Sequence, residues 1–181
     1  MDNEKNKQRR YRDIAEWLEA LLFAFVLIVL LYTFLFRVIS VSGGSMETTL
    51  NENDRVVVQC IAYNPKHGDV IVVDSYSNYG KPLVKRIIAT EGDTVDIDFS
   101  SGEVSVNGSI LSEPYISSPT TDPHDVSFPL VVDEGHVFVL GDNRTVSLDS
   151  RSSDVGLIDV RDILGKAVLR IYPFKEFGII K

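Results

Sequence analysis

"ALLFAFVLIVLLYTFLFRVISVSGGSMETTL", Ala20 to Leu50, changes character twice and divides the chain. Ala20 to Phe36 is a run of 17 residues without a charge, at the lower edge of what spans a bilayer as a helix. Trp17 before it, and Tyr32 and Arg37 near its end, are residues that sit well at membrane interfaces and extend such a span. Three interpretations compete. A cleaved secretory leader has a similar basic start, and "SVS" at Ser40 to Ser42 is a weak cleavage site, but the apolar core of a leader is usually shorter, roughly 7–15 residues. A helix of a soluble domain of this size would usually lie at its surface and show a polar face, and this run is apolar on every side, so that interpretation is less favoured. We therefore take it as a retained membrane anchor. Lys5, Lys7, Arg9, Arg10 and Arg12 crowd ahead of it, which sets the N-terminus in the cytoplasm and everything after Arg37 outside. Immediately after the run stand Gly43 and Gly44, which let the backbone turn sharply in front of Ser45. That turn is either a linker or the presentation of a nucleophile.

Beyond residue 50 helical periodicity gives way to short β-branched runs bounded by glycine, proline, aspartate or asparagine. "DRVVVQCIAY", "GDVIVVDSY", "PLVKRIIAT", "DTVDIDF", "GEVSVNGSILS" and "HVFVLGD" all read as strands. Asn107-Gly108 between "EVSV" and "SILS" signals a type I′ hairpin. Alternation in "TVDIDF" and "EVSVN" suits strands with one wet face, whereas "DVIVV" suits burial on both. "PYISSPTTDPHDVSFP" reads as an extended loop. The expected organisation is a basic cytoplasmic tail (1–17), a transmembrane helix (18–39) and an all-β extracytoplasmic domain (40–181). Within that domain lies a hairpin-bearing insertion at about 98–134.

The chain has 181 residues and a formal charge of -8, with the acidic residues mostly beyond the apolar run. An acidic exported part argues against nucleic acid, since nothing there neutralises phosphates. A single cysteine, Cys60, excludes an internal disulfide and any cysteine-based zinc cluster, and its apolar surroundings suit an inert core residue. His67, His124 and His136 lack metal-ligand spacing, and the turn-like settings of His67 and His136 suit solvated side chains. A Ser-His-Asp triad forms in space rather than in sequence, so spacing does not settle it. "SGGS" lacks the lysine and context of a phosphate-binding loop.

Two further places carry chemistry. Lys85 lies among Leu83, Val84, Ile87 and Ile88. It is either an edge residue pointing to water or a buried amine whose charged form is disfavoured. Neutral amine at physiological pH can take the proton of a serine hydroxyl without any histidine. "VLGDNRTVSLDSR", Val139 to Arg151, packs Asp142, Asn143, Arg144, Ser147, Asp149, Ser150 and Arg151 into one polar stretch. It is either a loop of local turns or a buried supporting network around a charged site.

"SGGSMETTL", "KRIIATEGD" and "GDNRTVSLDSR", in this order after an N-terminal anchor, resemble the type I signal peptidases. The likeness takes in "NPKHGDVIVV", "VSVNGSILSEPYI" and "GKAVLRIYP", and so nearly the whole chain. It implies an all-β catalytic domain of the signal peptidase and LexA-like kind behind one transmembrane helix. It implies a hydrolase that cuts signal peptides from secreted preproteins after small side chains, with no metal or organic cofactor. Its partners would be those signal peptides and membrane lipid, not nucleic acid. By this likeness Ser45 is the nucleophile and Lys85 the general base. Ser147 matches the serine that orients the lysine, and Asp149, Arg151 and Arg86 match an ion-pair network behind the site. Gly43 occupies the position where some members carry an oxyanion-binding serine, leaving the backbone N–H of Ser45 and a neighbour or water as donors. Thr48 stands where the family has proline, which would leave the nucleophile loop looser. The alternatives are an impaired relative that only binds exported chains and a self-cleaving LexA-like regulator. The membrane anchor speaks against the latter. On the signal peptidase reading, the glycine turn holds Ser45 near the membrane, where a precursor is tethered by its own apolar segment.

Overall fold

The computed structural model describes residues 2–61, 63–74 and 79–180. The chain divides after Phe36 into two compact units. The first is the helix α1 (Asp2–Leu35). Residues of α1 from Ala20 to Leu30 are exposed throughout. Among the described residues no helix is long and apolar enough to cross a membrane; the side chains of Leu31 and Phe34, inside the apolar run, lie outside that description. The helix also ends earlier than the sequence suggests. Phe36–Ser40, whose last residues were expected to be helical to position 39, is extended as β1. Val38 and Ile39 are β-branched, and the strand joins the large sheet beside β2 (Arg55–Gln59), so sheet pairing takes over just where the uncharged run ends at Arg37.

The second unit is β throughout, as the short β-branched runs imply. Its strands are completed by β3 (Val70–Val73), β4 (Leu83–Thr90), β5 (Thr94–Asp98), β6 (Glu103–Val106), β7 (Ser109–Ile110), β8 (Leu130–Val131), β9 (His136–Leu140), β10 (Ile158–Asp159), β11 (Ile163–Tyr172) and β12 (Gly178–Ile179). The larger sheet has the order β1-β2-β11-β3-β4-β9-β10, with β12 beside β11. The smaller has the order β7-β6-β5-β8. β6 and β7 pair Val106 with Ser109, so Asn107-Gly108 is a two-residue loop, and both its residues take positive φ, 52° and 77°. That is the type I′ geometry whose twist matches its strands. β5 alternates buried and exposed side chains, while all of β3 is buried.

Two apolar clusters matter for the site. Val41, Met46, Leu50, Val56, Val58 and Val70 pack together, and Met46 is 1% exposed. Burying a methionine side chain contributes about 1.5–3 kcal/mol, so the residue next to Ser45 is pinned to the core. The half-buried Cys60 packs against the same cluster. The smaller sheet is fastened to β4 and β9 by Val95, Ile97 and Val104 packing with Ile88, Phe138 and Leu140. Its connecting loops thereby come within reach of the polar stretch that follows β9.

Candidate active site

Ser45 sits on the loop between β1 and β2. The loop is closed at its base by Val41 N–H donating to Asp54 O and Asn53 N–H donating to Val41 O, at 2.8 and 2.9 Å. Gly43 takes φ +80°, a left-handed conformation that side chains with a Cβ rarely adopt. One tight turn follows, with Thr49 and Leu50 N–H both donating to Met46 O. This turn presents Ser45 to the centre of β4.

Lys85 there is 2% exposed, so the interior alternative holds and the edge alternative fails. Its Nζ lies 2.7 Å from Ser45 Oγ across 40 residues of chain. Burial pushes the amine down to about 8; Asp149 pulls it upward, Arg151 downward and Asp142 upward by smaller amounts. The two carboxylates are weak counter-ions for a reason visible in their own contacts. Asp142 receives Nε and Nη2 of Arg86 at 2.8 and 2.7 Å. Asp149 receives Nε and Nη2 of Arg151 at 2.9 and 3.0 Å. Each carboxylate is already matched by a planar guanidinium, so desolvation of the amine prevails.

A cleft of about 570 Å³ opens beside the pair, lined by Ser45 and Lys85 with Ile39, Val72, Val84 and Leu164 among its walls. None of the three histidines lines it. His136 Nδ1 is bonded to Glu134 O, and His124 lies near Asp122. Among the described residues no group of His, Cys, Asp or Glu is arranged to hold a metal ion.

A family model described as signal peptidase, peptidase S26, matches residues 14–172. The chain belongs to that family. It is a serine peptidase by that membership, and its relatives are similar along nearly all of its length. Signal peptidase I of Bacillus licheniformis is 34% identical over 186 residues, covering 97% of both chains. Signal peptidase IB of Staphylococcus aureus is 32% identical over 188 residues, covering 92% of this chain and 93% of its own. A solved signal peptidase I from Enterococcus faecalis is 29% identical, covers 57% of this chain and 97% of its own, and has a TM-score of 0.47.

The other site residues that the sequence singled out in this peptidase fall into two layers. Ser147 is 2% exposed, and among the described residues its Oγ has no hydrogen-bond partner, Lys85 included. It abuts Gly141, where an added Cβ would strike both Ser147 Oγ and the carbonyl of Ser45. Ser147 is therefore packed behind the Ser45 loop. Behind it, Arg151 also donates to the carbonyls of Arg144 and Ser147 at 2.8 and 3.2 Å, and Asp149 accepts Gly141 N–H at 3.1 Å. The polar stretch after β9 is thus a buried network rather than a solvated loop. Asn143 N–H donates to Ser45 O at 3.0 Å and joins the network to the Ser45 loop.

Some partners were not anticipated. Arg144 forms a two-point ion pair with Glu113 at 3.1 and 2.5 Å and also bonds the hydroxyl of the buried Thr120. Tyr115 lays its ring over the Arg86 guanidinium, 4.0 Å from centroid to Cζ, and donates its hydroxyl to Glu113 at 3.0 Å. Burial, then the charge of Glu113, raises the Tyr115 phenol. Thr49 hydroxyl donates to Asp142, and Thr48 hydroxyl donates to the carbonyl of Tyr115. "SEPY" lies in a loop-like stretch about thirty residues before Arg144, and no local pattern ties the two together.

Proposed function

We propose that this peptidase is a membrane-anchored serine endopeptidase that removes N-terminal signal peptides from exported preproteins, with Ser45 as nucleophile and Lys85 as general base. The observation that carries it is the 2.7 Å approach of Lys85 Nζ to Ser45 Oγ, with the amine buried and its pKa brought down to about 8. Charged, Nζ donates along this line; neutral, its lone pair accepts the serine proton along the same line. Ser45 Oγ then attacks the scissile carbonyl. The oxyanion forms beside the backbone N–H of Ser45, since Gly43 offers no hydroxyl. Lys85 returns its proton to the leaving amine, and the acyl-enzyme that remains is hydrolysed by water activated by the same lysine. The arginine–aspartate pairs act on the lysine through their charges without supplying it a full counter-ion.

The substrate reading rests on the relatives' names together with the cleft. Its walls of Ile39, Val72, Val84 and Leu164 suit small apolar side chains, and β1 is an edge strand on which an extended peptide can add. The anchor reading rests on the uncharged run within α1, where Leu21 to Leu30 expose a continuous apolar surface. Apolar surface of that extent needs lipid or protein to cover it. The Lys/Arg cluster before it favours a cytoplasmic N-terminus and an extracytoplasmic domain.

Cleavage of a model preprotein by the full chain in detergent tests the assignment. Ser45→Ala and Lys85→Ala should each abolish processing, and the double variant should be no worse, because the two groups act as one unit. Near-normal turnover by Lys85→Ala would remove the lysine from the mechanism and turn attention to the histidines.

A further inference from the structure

The nucleophile loop is fastened to the rest of the molecule by side chains that take no part in the chemistry. Met46 is sunk in the core, and Thr49 hydroxyl reaches Asp142. Thr48 is exposed, yet its hydroxyl donates to the carbonyl of Tyr115, 67 residues away on a loop of the smaller sheet's region. Tyr115 in turn covers Arg86, whose Nη1 donates to Gly68 O at 2.7 Å and whose Nη2 lies 3.3 Å from Thr49 Oγ1. Arg86 is the neighbour of Lys85 on β4. One aromatic residue therefore touches, through its carbonyl, the loop that carries Ser45 and, through its ring, the residue beside Lys85. Its own place is fixed by the Glu113–Arg144 ion pair, whose exposures are 6% and 0%.

We propose that Tyr115 and Thr48 are positioning residues for peptide cleavage. They form a tether that holds the Ser45 loop at the distance from β4 at which Oγ meets Nζ. The tether does at this position what a ring-locked backbone would do elsewhere: it removes conformations of the loop in which serine and lysine are apart. It acts through the hydroxyl of Thr48, so proline at this position would remove the bond even where it stiffened the backbone. This inference rests on the Ser45 and Lys85 assignment above.

Steady-state kinetics of the full chain on one preprotein test it, with two sets of variants. Thr48→Val keeps the shape and deletes the hydroxyl, and should lower kcat about five-fold with KM unchanged, as expected for one lost hydrogen bond. Thr48→Ser should restore the rate. Tyr115→Ala should lose about ten-fold in kcat. Thr48 is exposed, so its variants decide the matter even where Tyr115→Ala fails to fold. Amide hydrogen exchange in the Ser45→Ala background reads the tether without catalysis: Thr48→Val should speed exchange at Thr49 and Leu50. Wild-type kcat in Thr48→Val, or unchanged exchange at those amides, would overturn the proposal. Full activity of Ser45→Ala itself would instead overturn the nucleophile assignment, and the exchange measurement would still decide the tether.

Discussion

At Lys85 burial and charge pull against each other, and the outcome has consequences for both rate and stability. The amine falls from its ordinary 10.5 to about 8, with burial as the main cause. Only the neutral form accepts a proton, so kcat/KM should rise with pH and level off above about 8, the value for the free enzyme. For stability, the unfolded chain holds the lysine proton up to 10.5 and the folded chain releases it near 8. Between those values the unfolded state binds more protons, so stability rises with pH across the window. Below it the fold carries the full penalty of a charged buried amine, on the order of 3 kcal/mol. Lys85→Met should therefore be inactive yet more stable than wild type at pH 7, with the gain shrinking toward pH 10.5. Denaturant unfolding of both proteins at neutral and alkaline pH measures this, and an equal gain at both would show that burial does not set this pKa. Ser45 and Lys85 were legible from the sequence because their flanking blocks resemble a known family. The burial of Lys85 was not, because four apolar neighbours on a strand suit an edge and an interior equally. Glu113 and Tyr115 were invisible for a different reason: their partners lie across the fold, and isolated polar residues in a proline-rich loop carry no periodic signal.

The stretch after β9 shows how much an element depends on close approach. Gly141 follows the buried Leu140, and any Cβ there would meet Ser147 Oγ and Ser45 O. An added Cβ would also lie 2.6 Å from Ser147 Cβ, so turning the hydroxyl aside does not relieve it. The backbones on both sides are tied, Ser45 O by Asn143 N–H and the Ser147 carbonyl by the buried Arg151. Gly141→Ala should destabilise the protein by about 1–3 kcal/mol, the range for overpacking a well-filled site. It should also lower kcat/KM, since the atoms displaced belong to the loop of the proposed nucleophile. Thermal unfolding and kinetics on the same preparation check both; a variant unchanged in both would mean that the loop yields freely. Strands were legible where local chemistry defines them. Asn107-Gly108 specifies its hairpin, and the alternation of β5 specifies its wet face. The end of α1 was not legible, because Arg37 suits the interface end of a helix and Phe36, Val38 and Ile39 suit helix and strand alike. Pairing with β2, a tertiary event, decides it.

For the molecule as a whole, charge asymmetry is the feature that carries the proposed orientation. Lys5, Lys7, Arg9, Arg10 and Arg12 precede the apolar run, and the residues beyond it are predominantly acidic. Positive residues close to a span resist translocation, whereas long flanking domains cross largely regardless of their charge. The expected outcome is an N-terminus retained in the cytoplasm and a β domain outside. Protease added to intact cells or protoplasts should attack the chain beyond Arg37, or leave that part as a compact released core, and should spare a tag placed before Trp17. Replacing Arg9, Arg10 and Arg12 together with glutamine removes three of the five cations while leaving the apolar run intact. A fraction of the chains should then insert in the opposite sense, with the tag exposed and the β domain protected. Processing of exported precursors should fall in proportion to that fraction, because inverted chains face the wrong compartment, while the specific activity of the same protein in detergent stays at the wild-type level. Loss of activity in detergent as well would assign the arginines a part in the fold or the chemistry. An exposed N-terminal tag in the unsubstituted chain would overturn the orientation itself.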